Sequence, residues 1–245
     1  MNTNHKKLVE DLIAPNYWSP VKITADLLLR AMTEVASKHA HGRLIDMGCG
    51  AKPYAGIFFP YVDSYFGVDF AQAAVANYGE KTMADLDIDI TDTKLPSGSF
   101  DTLLSTQVLE HILDTNKFIA ECHRLLATGG KGIFTIPFVW ESHAEPYDYF
   151  RFTKYSIELL FQQQGFRIVE IRPIGGAYAT LIQMQIIALH FRALPRTAAY
   201  LPYRILRKLR NLVMLPIWNW KGLHLDRILW NDKLCLNHLL IVAKD

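Results

Sequence analysis

The chain has 245 residues, 50% of them hydrophobic and 20% charged, with a formal net charge of +2. That is the composition of an ordinary globular protein with apolar material for a full sheet covered by helices, and the near-neutral total argues against a nucleic-acid partner. The three cysteines, Cys49, Cys122 and Cys235, are widely spaced and form no CxxC pair, so neither a disulfide framework nor a zinc site is expected, and a reducing cytoplasm fits.

Residues 1–20 hold Pro15, Tyr17, Trp18 and Pro20 and read as an irregular arm. Its basic start, His5, Lys6 and Lys7, is followed by Glu10 and Asp11, which interrupt the apolar stretch a signal peptide would need. Ile23, Leu27, Leu28, Met32 and Val35 then recur at helical spacing over about 22–38. A short apolar run over 44–47 ends in Gly48-Cys49-Gly50, a strand entering a glycine-rich turn. Residues 65–69 make a second strand with Asp69 at its C-terminal end. Residues 84–90 read as a third strand, 95–98 as a turn and 100–106 as a fourth strand. Asp114 is placed to cap a helix with Phe118, Ile119, Cys122, Leu125 and Leu126 on one face, ended by Gly129-Gly130. Residues 132–137 form a fifth strand. Thr153 caps another helix that stops near Gly165, and 166–171 and 239–244 are strands six and seven. Strands alternating with helices predict an α/β fold, a Rossmann-like, seven-stranded, mostly parallel sheet with helices on both faces.

The stretch between strands six and seven is too long for a simple connection. From Ile171 to Leu225 there is no Asp or Glu. The same stretch holds Arg172, Arg192, Arg196, Arg204, Arg207, Lys208, Arg210 and Lys221, which leaves 18 basic against 24 acidic residues elsewhere. Pro202 can start a helix. Ile205, Leu206, Leu209, Leu212 and Val213 then share one side, with Arg204, Arg207, Lys208 and Arg210 largely on the other, and Trp218 and Trp220 follow. Two uses suit this pattern: a helical cap over a substrate site, or peripheral contact of residues 192–221 with an anionic membrane at its inner face. Gly175, Gly176, Thr180, Gln183 and Gln185 interrupt the uncharged residues 173–191, so no membrane span is expected. The expected organisation is a single domain over 1–245: arm and helix over 1–40, a cofactor-binding core over 41–172, a basic helical insert over 173–236 and a final strand over 237–245.

The strongest motif is Asp46-Met47-Gly48-Cys49-Gly50, with Asp69 lying 19 residues beyond Gly50. Glycines after a first strand let backbone approach a ligand closely, and an acid about 20 residues on reaches ribose hydroxyls. Dinucleotide-binding proteins share this logic but show GxGxxG. Here the third glycine position is Pro53, which disfavours close helix packing on a pyrophosphate. An NAD-dependent oxidoreductase is the weaker reading of the same turn.

Leu44-Ile45-Asp46-Met47-Gly48-Cys49-Gly50 resembles the first motif of class I S-adenosylmethionine (SAM) methyltransferases. Leu95-Pro96-Ser97-Gly98-Ser99-Phe100-Asp101 and Gln107-Val108-Leu109-Glu110-His111 resemble the fourth-strand region of their type-11 group, and residues 125–132 resemble that group's turn before strand five. The resemblance covers about 40–172 and the final strand. It implies SAM as cofactor. Asp46, Gly48 and Gly50 would hold its methionine end, Asp69 its ribose, and Gln107 would line the sulfonium side. An acid after strand three would receive the adenine amino group: Asp89, followed by Ile90, is the choice, with Asp87 and Asp92 as rivals. Glu110-His111 more often fixes the following helix than does chemistry.

The acceptor should lie beyond the C-terminal ends of strands four and five. Residues 138–152 are dense in groups able to bind or deprotonate it, and the type-11 group carries a similar His-x-x-Pro-Tyr-Asp-Tyr-x-Arg-Phe-Thr run. His143 is the candidate base, since imidazole titrates near neutrality. Tyr149 is the second catalytic candidate, and Tyr147 and Arg151 are candidates to bind the acceptor. The plainer use of Tyr147, Asp148 and Arg151 is to tie the loop to the core. No HExxH or Cys/His cluster points to a metal. The expected activity is methyl transfer from SAM to an oxygen or nitrogen of a small or lipid-linked acceptor. A non-catalytic SAM-binding or assembly factor on the same fold is the alternative.

Overall fold

The computed structural model describes residues 12–70, 83–190 and 201–245, with the backbone alone for residue 190 and residues 201–210. By its contacts the chain parts into two compact units, one formed by 1–29 with 175–236 and the other by 30–174 with 237–245. The described part of the arm, residues 12–20, thus groups with the insert.

The second unit is a seven-stranded sheet. Its strands are β1 (Arg43–Met47), β2 (Ser64–Asp69), β3 (Leu86–Asp87), β4 (Phe100–Thr106), β5 (Leu126–Pro137), β6 (Arg167–Ile174) and β7 (Asn237–Ala243). Their order is β3-β2-β1-β4-β5-β7-β6. β7 is antiparallel to both neighbours, while the other pairs are parallel. Leu44 to Met47 and all of β7 are buried at successive positions. Since successive side chains point to opposite faces, both faces of the sheet are covered. This is the Rossmann-like α/β fold expected from the sequence.

The helices are α1 (Lys22–His39), α2 (Ala55–Phe58), α3 (Thr115–Leu125), α4 (Lys154–Gln163), α5 (Ala177–His190) and α6 (Leu201–Ile228). Asp114 caps α3 by accepting the Lys117 amide, and Thr153 caps α4 by accepting that of Ser156. Phe118, Ile119, Cys122 and Leu125 of α3 are buried in the core. Glu121 is buried on the same helix. Its carboxylate is answered by the Thr93 amide at 2.8 Å and by Arg124 through two nitrogens at 2.7 Å each.

Two elements differ from the sequence reading. The third strand shrinks to Leu86–Asp87, because Asp89 accepts the amide and hydroxyl of Thr91 and turns the chain out of the ladder. Helix α3 ends at Leu125 rather than at the glycine pair, and the buried Leu126 opens β5 directly. Gly129, at φ +81°, instead lies where the β4–β5 register slips between Phe100 and Thr102.

In the first unit, the arm is tied to the insert by side-chain amides. Asn219 donates to the carbonyls of Tyr17 and Ser19, and Gln183 donates to that of Pro20. Pro216 inside α6 has no N–H for the carbonyl of Leu212. The indole of Trp18 supplies the donor, at 3.0 Å. Asp226, 3% exposed, accepts the amides of Gly176 and Ala179 with one oxygen each and so caps α5 from α6. Arg192 and Arg196 lie outside the described residues, and of Arg204, Arg207, Lys208 and Arg210 only the helical backbone is described. Among the described residues no helix is long and apolar enough to cross a membrane.

Replacing Asp226 by Ala leaves two buried amides without their acceptor. The expected loss of stability is about 2–3 kcal/mol, read from urea denaturation followed by helical circular dichroism. A loss under about 0.5 kcal/mol, the scale of an ordinary surface change, would show that water serves those amides equally well.

Candidate active site

The C-terminal ends of β1, β2, β4 and β5 supply the candidate groups. After β1 the chain turns sharply, with Gly48 at φ +77° and Gly50 at φ +50°. The amides of Gly48 and Cys49 both donate to the Val68 carbonyl, and the Gly50 amide donates to Asp69 Oδ2 at 2.7 Å. A Cβ on Gly48 would stand 2.6 Å from Val108, so the bare glycine lets the turn after β4 close against the turn after β1.

Asp46 is buried. Its Oδ2 accepts the Tyr65 hydroxyl, while Oδ1 has no hydrogen-bond partner. Burial pushes its carboxyl up to about 7, against the pull of the Tyr65 hydroxyl. An orphaned oxygen beside a turn of glycines fits a ligand that brings its own donor, such as an amino group. Asp69 accepts the Gly50 and Phe70 amides. Burial raises its pKa and those two amides lower it. Each carboxylate oxygen retains a second lone pair for ribose hydroxyls. Lys52, which the sequence reading passed over, crosses Gly67 and ion-pairs with Asp85.

The adenine-side candidates are placed unevenly. Asp89 is exposed and holds the Thr91 turn, Ile90 is buried in the core, Asp87 pairs in register with Asp69, and Asp92 bonds Lys94 at 2.7 Å. Gln107 sits at φ +57°, with its backbone amide on the Thr135 carbonyl and its side-chain amide on the Thr135 hydroxyl. A non-glycine residue in that left-handed region is strained backbone of the kind found at working sites.

A single turn of 3₁₀ helix, Leu109–His111, follows. Glu110 is completely buried, and no other residue hydrogen-bonds to either carboxylate oxygen. Burial pushes its carboxyl up to about 8. His111 holds the Tyr147 carbonyl through Nδ1 at 2.8 Å, leaving Nε2 at 3.6 Å from Glu110 Oε1. His143 arrives from the loop after β5. Its Nε2 is 4.0 Å from the same oxygen, and its ring meets that of His111 edge-on at 4.8 Å between centroids.

The loop carrying His143 is braced by Asp148 and Arg151. The Arg151 guanidinium forks onto both oxygens of Asp148 at 2.7 and 2.8 Å and also reaches the carbonyls of Glu141 and Phe150. The guanidinium and the His143 amide hold the Asp148 carboxyl down to about 2, against its burial. Arg151 is thereby engaged in the plainer, loop-holding use. Tyr147 and Tyr149 present exposed rings, 50% and 40% accessible. The structure brings together His143, His111 and Glu110. The sequence reading gave Glu110 no chemical role, since nothing in its neighbours shows that it is buried without a partner.

Residues 45–134 match the family model described as "Methyltransferase domain". A probable S-adenosylmethionine-dependent methyltransferase of Mycolicibacterium smegmatis is 27% identical over 139 residues, which are 54% of this chain and 50% of that protein. A ubiquinone biosynthesis O-methyltransferase of Rhodopseudomonas palustris is 32% identical over 108 residues, 42% of each chain. The chain thus spans half or less of the length of these curated relatives. Among solved structures, a SAM-dependent methyltransferase from Archaeoglobus fulgidus superposes with a TM-score of 0.55 at 14% identity, covering 98% of this chain and 99% of that one. At that identity the likeness is one of fold. The sheet order and the glycine turn at its strand ends define a Rossmann-like α/β fold. Over residues 45–134 the chain is thus similar to the methyltransferase domain family, and the relatives it matches there carry the names of SAM-dependent methyltransferases.

Gly48→Ala combines a left-handed φ with a clash against Val108. It is expected to cost about 1–3 kcal/mol of stability and to weaken SAM binding. Thermal melts and SAM titration measure both, and wild-type values in the two would disprove the described approach of the turns.

Proposed function

We propose that this protein transfers the methyl group of SAM to an oxygen or nitrogen of a small or lipid-linked acceptor. The observation that carries this reading is the closure of the Gly48–Gly50 turn onto Val108, the residue that leads into the turn bearing Glu110 and His111. Asp46, Gly48 and Gly50 would hold the methionine end, Asp69 the ribose, Asp89 and Ile90 the adenine, and Gln107 the sulfonium side. When bound, SAM supplies a methyl group with its leaving group built in. The chain's own residues then have to align the acceptor and exclude water. His143 would take the acceptor's proton, at a nitrogen within hydrogen-bonding reach of an entering hydroxyl or amine. Tyr149, Tyr147 and Arg151 would orient the acceptor on the loop. The likenesses to an O-methyltransferase and to an N-methyltransferase support either atom as the acceptor. The acid-free insert supports an anionic acceptor, or a peripheral position on an anionic membrane facing the cytoplasm.

Asp69→Ala is expected to weaken SAM binding at least tenfold in calorimetric titration, since a charged hydrogen bond is worth about 1.5–3 kcal/mol. Unchanged affinity would remove Asp69 from the site, and NAD binding in the same titration would favour an oxidoreductase.

His143→Ala should lower turnover far more than SAM affinity. The acceptor-side assignment is wrong if affinity collapses while the rate at saturating SAM is normal. SAM binding without turnover across a broad acceptor panel would instead favour an assembly factor.

Changing Arg204, Arg207, Lys208 and Arg210 together to Gln should abolish binding to anionic vesicles, or raise the Michaelis constant for an anionic acceptor. A variant that alters neither would leave the basic face as solvated surface only.

A further inference from the structure

The cluster of Glu110, His111 and His143 holds more donor atoms than a base requires. The Nδ1 atoms of both imidazoles are turned to backbone carbonyls, that of His111 to Tyr147 at 2.8 Å and that of His143 to Glu141 at 3.2 Å. A carbonyl only accepts, which places the proton of His111 on Nδ1 and leaves a lone pair at Nε2; at His143 the Glu141 carbonyl and Asp148 Oδ2, 3.4 Å away, favour the same tautomer over the Arg151 N–H at 3.5 Å. Those two lone pairs face one oxygen of a completely buried carboxylate, at 3.6 and 4.0 Å. Both distances are too long for hydrogen bonds. A proton on Glu110 could satisfy one Nε2 at most and would leave the other facing an oxygen.

We propose that Glu110, His111 and His143 form a site for a divalent cation of the zinc class. One ligand atom from each of the three lies within 4.8 Å of the others. Tetrahedral bonds of about 2.0–2.2 Å set ligand atoms roughly 3.3–3.6 Å apart, so side-chain shifts totalling roughly 1–1.5 Å close the set. Two imidazoles with one carboxylate suit zinc or a neighbouring first-row ion over magnesium or calcium, which take oxygen ligands. The outer partners are already in place, since ligating histidines donate their other N–H to a carbonyl or carboxylate. Asp148 Oδ2 stands 3.4 Å from His143 Nδ1. Arg151, whose Nη2 is 3.5 Å from the same nitrogen, opposes a cation, but its charge is matched by its fork on Asp148. Three protein ligands leave a coordination position open, which is the pattern of a site that receives a substrate atom. Assigning that position to the acceptor rests on the methyl-transfer reading; the metal site itself does not. A bound cation would occupy the lone pair of His143 Nε2, so its uses as ligand and as base exclude one another.

The test uses the tag-free full chain, dialysed against a chelator and titrated with Zn²⁺ by calorimetry, with Co²⁺ absorption reporting the ligand set. Wild type should take up one equivalent and melt at a higher temperature with Zn²⁺. Glu110→Gln, His111→Ala and His143→Ala should each weaken uptake at least about tenfold. Parallel SAM titrations show that the variants are folded and test the methyl-transfer reading separately. Absence of stoichiometric uptake by wild type overturns the metal site, as does uptake indifferent to Glu110→Gln and His143→Ala. SAM binding without zinc uptake sinks the metal site and leaves the methyltransferase reading standing. Zinc uptake without SAM binding does the reverse.

Discussion

Everything at the C-terminal end of the sheet depends on one bare Cα. Gly48 carries a left-handed φ and has Val108 where a side chain would begin. Were the residue larger, the turn after β4 would have to withdraw from the turn after β1. The 3₁₀ turn with Glu110 and His111 follows directly from Val108, so its position is set by the same contact. Tyr149 and Phe150 then bond the Glu110 carbonyl through their amides, which anchors the loop that delivers His143. A steric constraint on one backbone atom thus propagates through three turns along the C-terminal end of the sheet.

Two buried carboxylates lie along this path, and each is short of partners. Asp46 has one unanswered oxygen and Glu110 has two. Glu121 shows what the same fold does with a structural acid, since both of its carboxylate oxygens meet Thr93 or Arg124. The contrast is a physical criterion. A buried acid that the scaffold has satisfied belongs to the scaffold, and one left unsatisfied awaits a group from elsewhere.

Much of the sheet was legible because local signals and tertiary demands agreed. The caps at Asp114 and Thr153, the apolar runs of β1, β4 and β7 and the Gly48–Gly50 turn all appear where their residues place them. The third strand was overread because its alternating acids and apolar residues imitate a half-buried strand, while Asp89 is drawn into a local turn instead. The glycine pair at 129–130 has the pattern of a helix stop, but pairing of Leu126 with Phe100 captures the chain first. The site divides in the same way. The glycine turn and Asp69 stand out in sequence, being a conformational demand with a fixed spacing. Glu110 does not, because the charged residues that act on it, Asp148 and Arg151, lie far along the chain on the loop after β5.

The place of β7 in the sheet also bears on how the protein can be made. β7 lies between β5 and β6, yet it follows β6 only after the whole insert, roughly 60 residues later. At ribosomal speeds of about 5–20 residues per second, that delay is on the order of 3–12 s. Throughout it, β5 presents an open hydrogen-bonding edge and β6 has no neighbour to pair with. Such an edge is a template for any extended chain nearby. The nascent protein therefore passes through an interval in which β5 is exposed to mispairing, and the sheet closes by insertion of one strand between two that are already waiting.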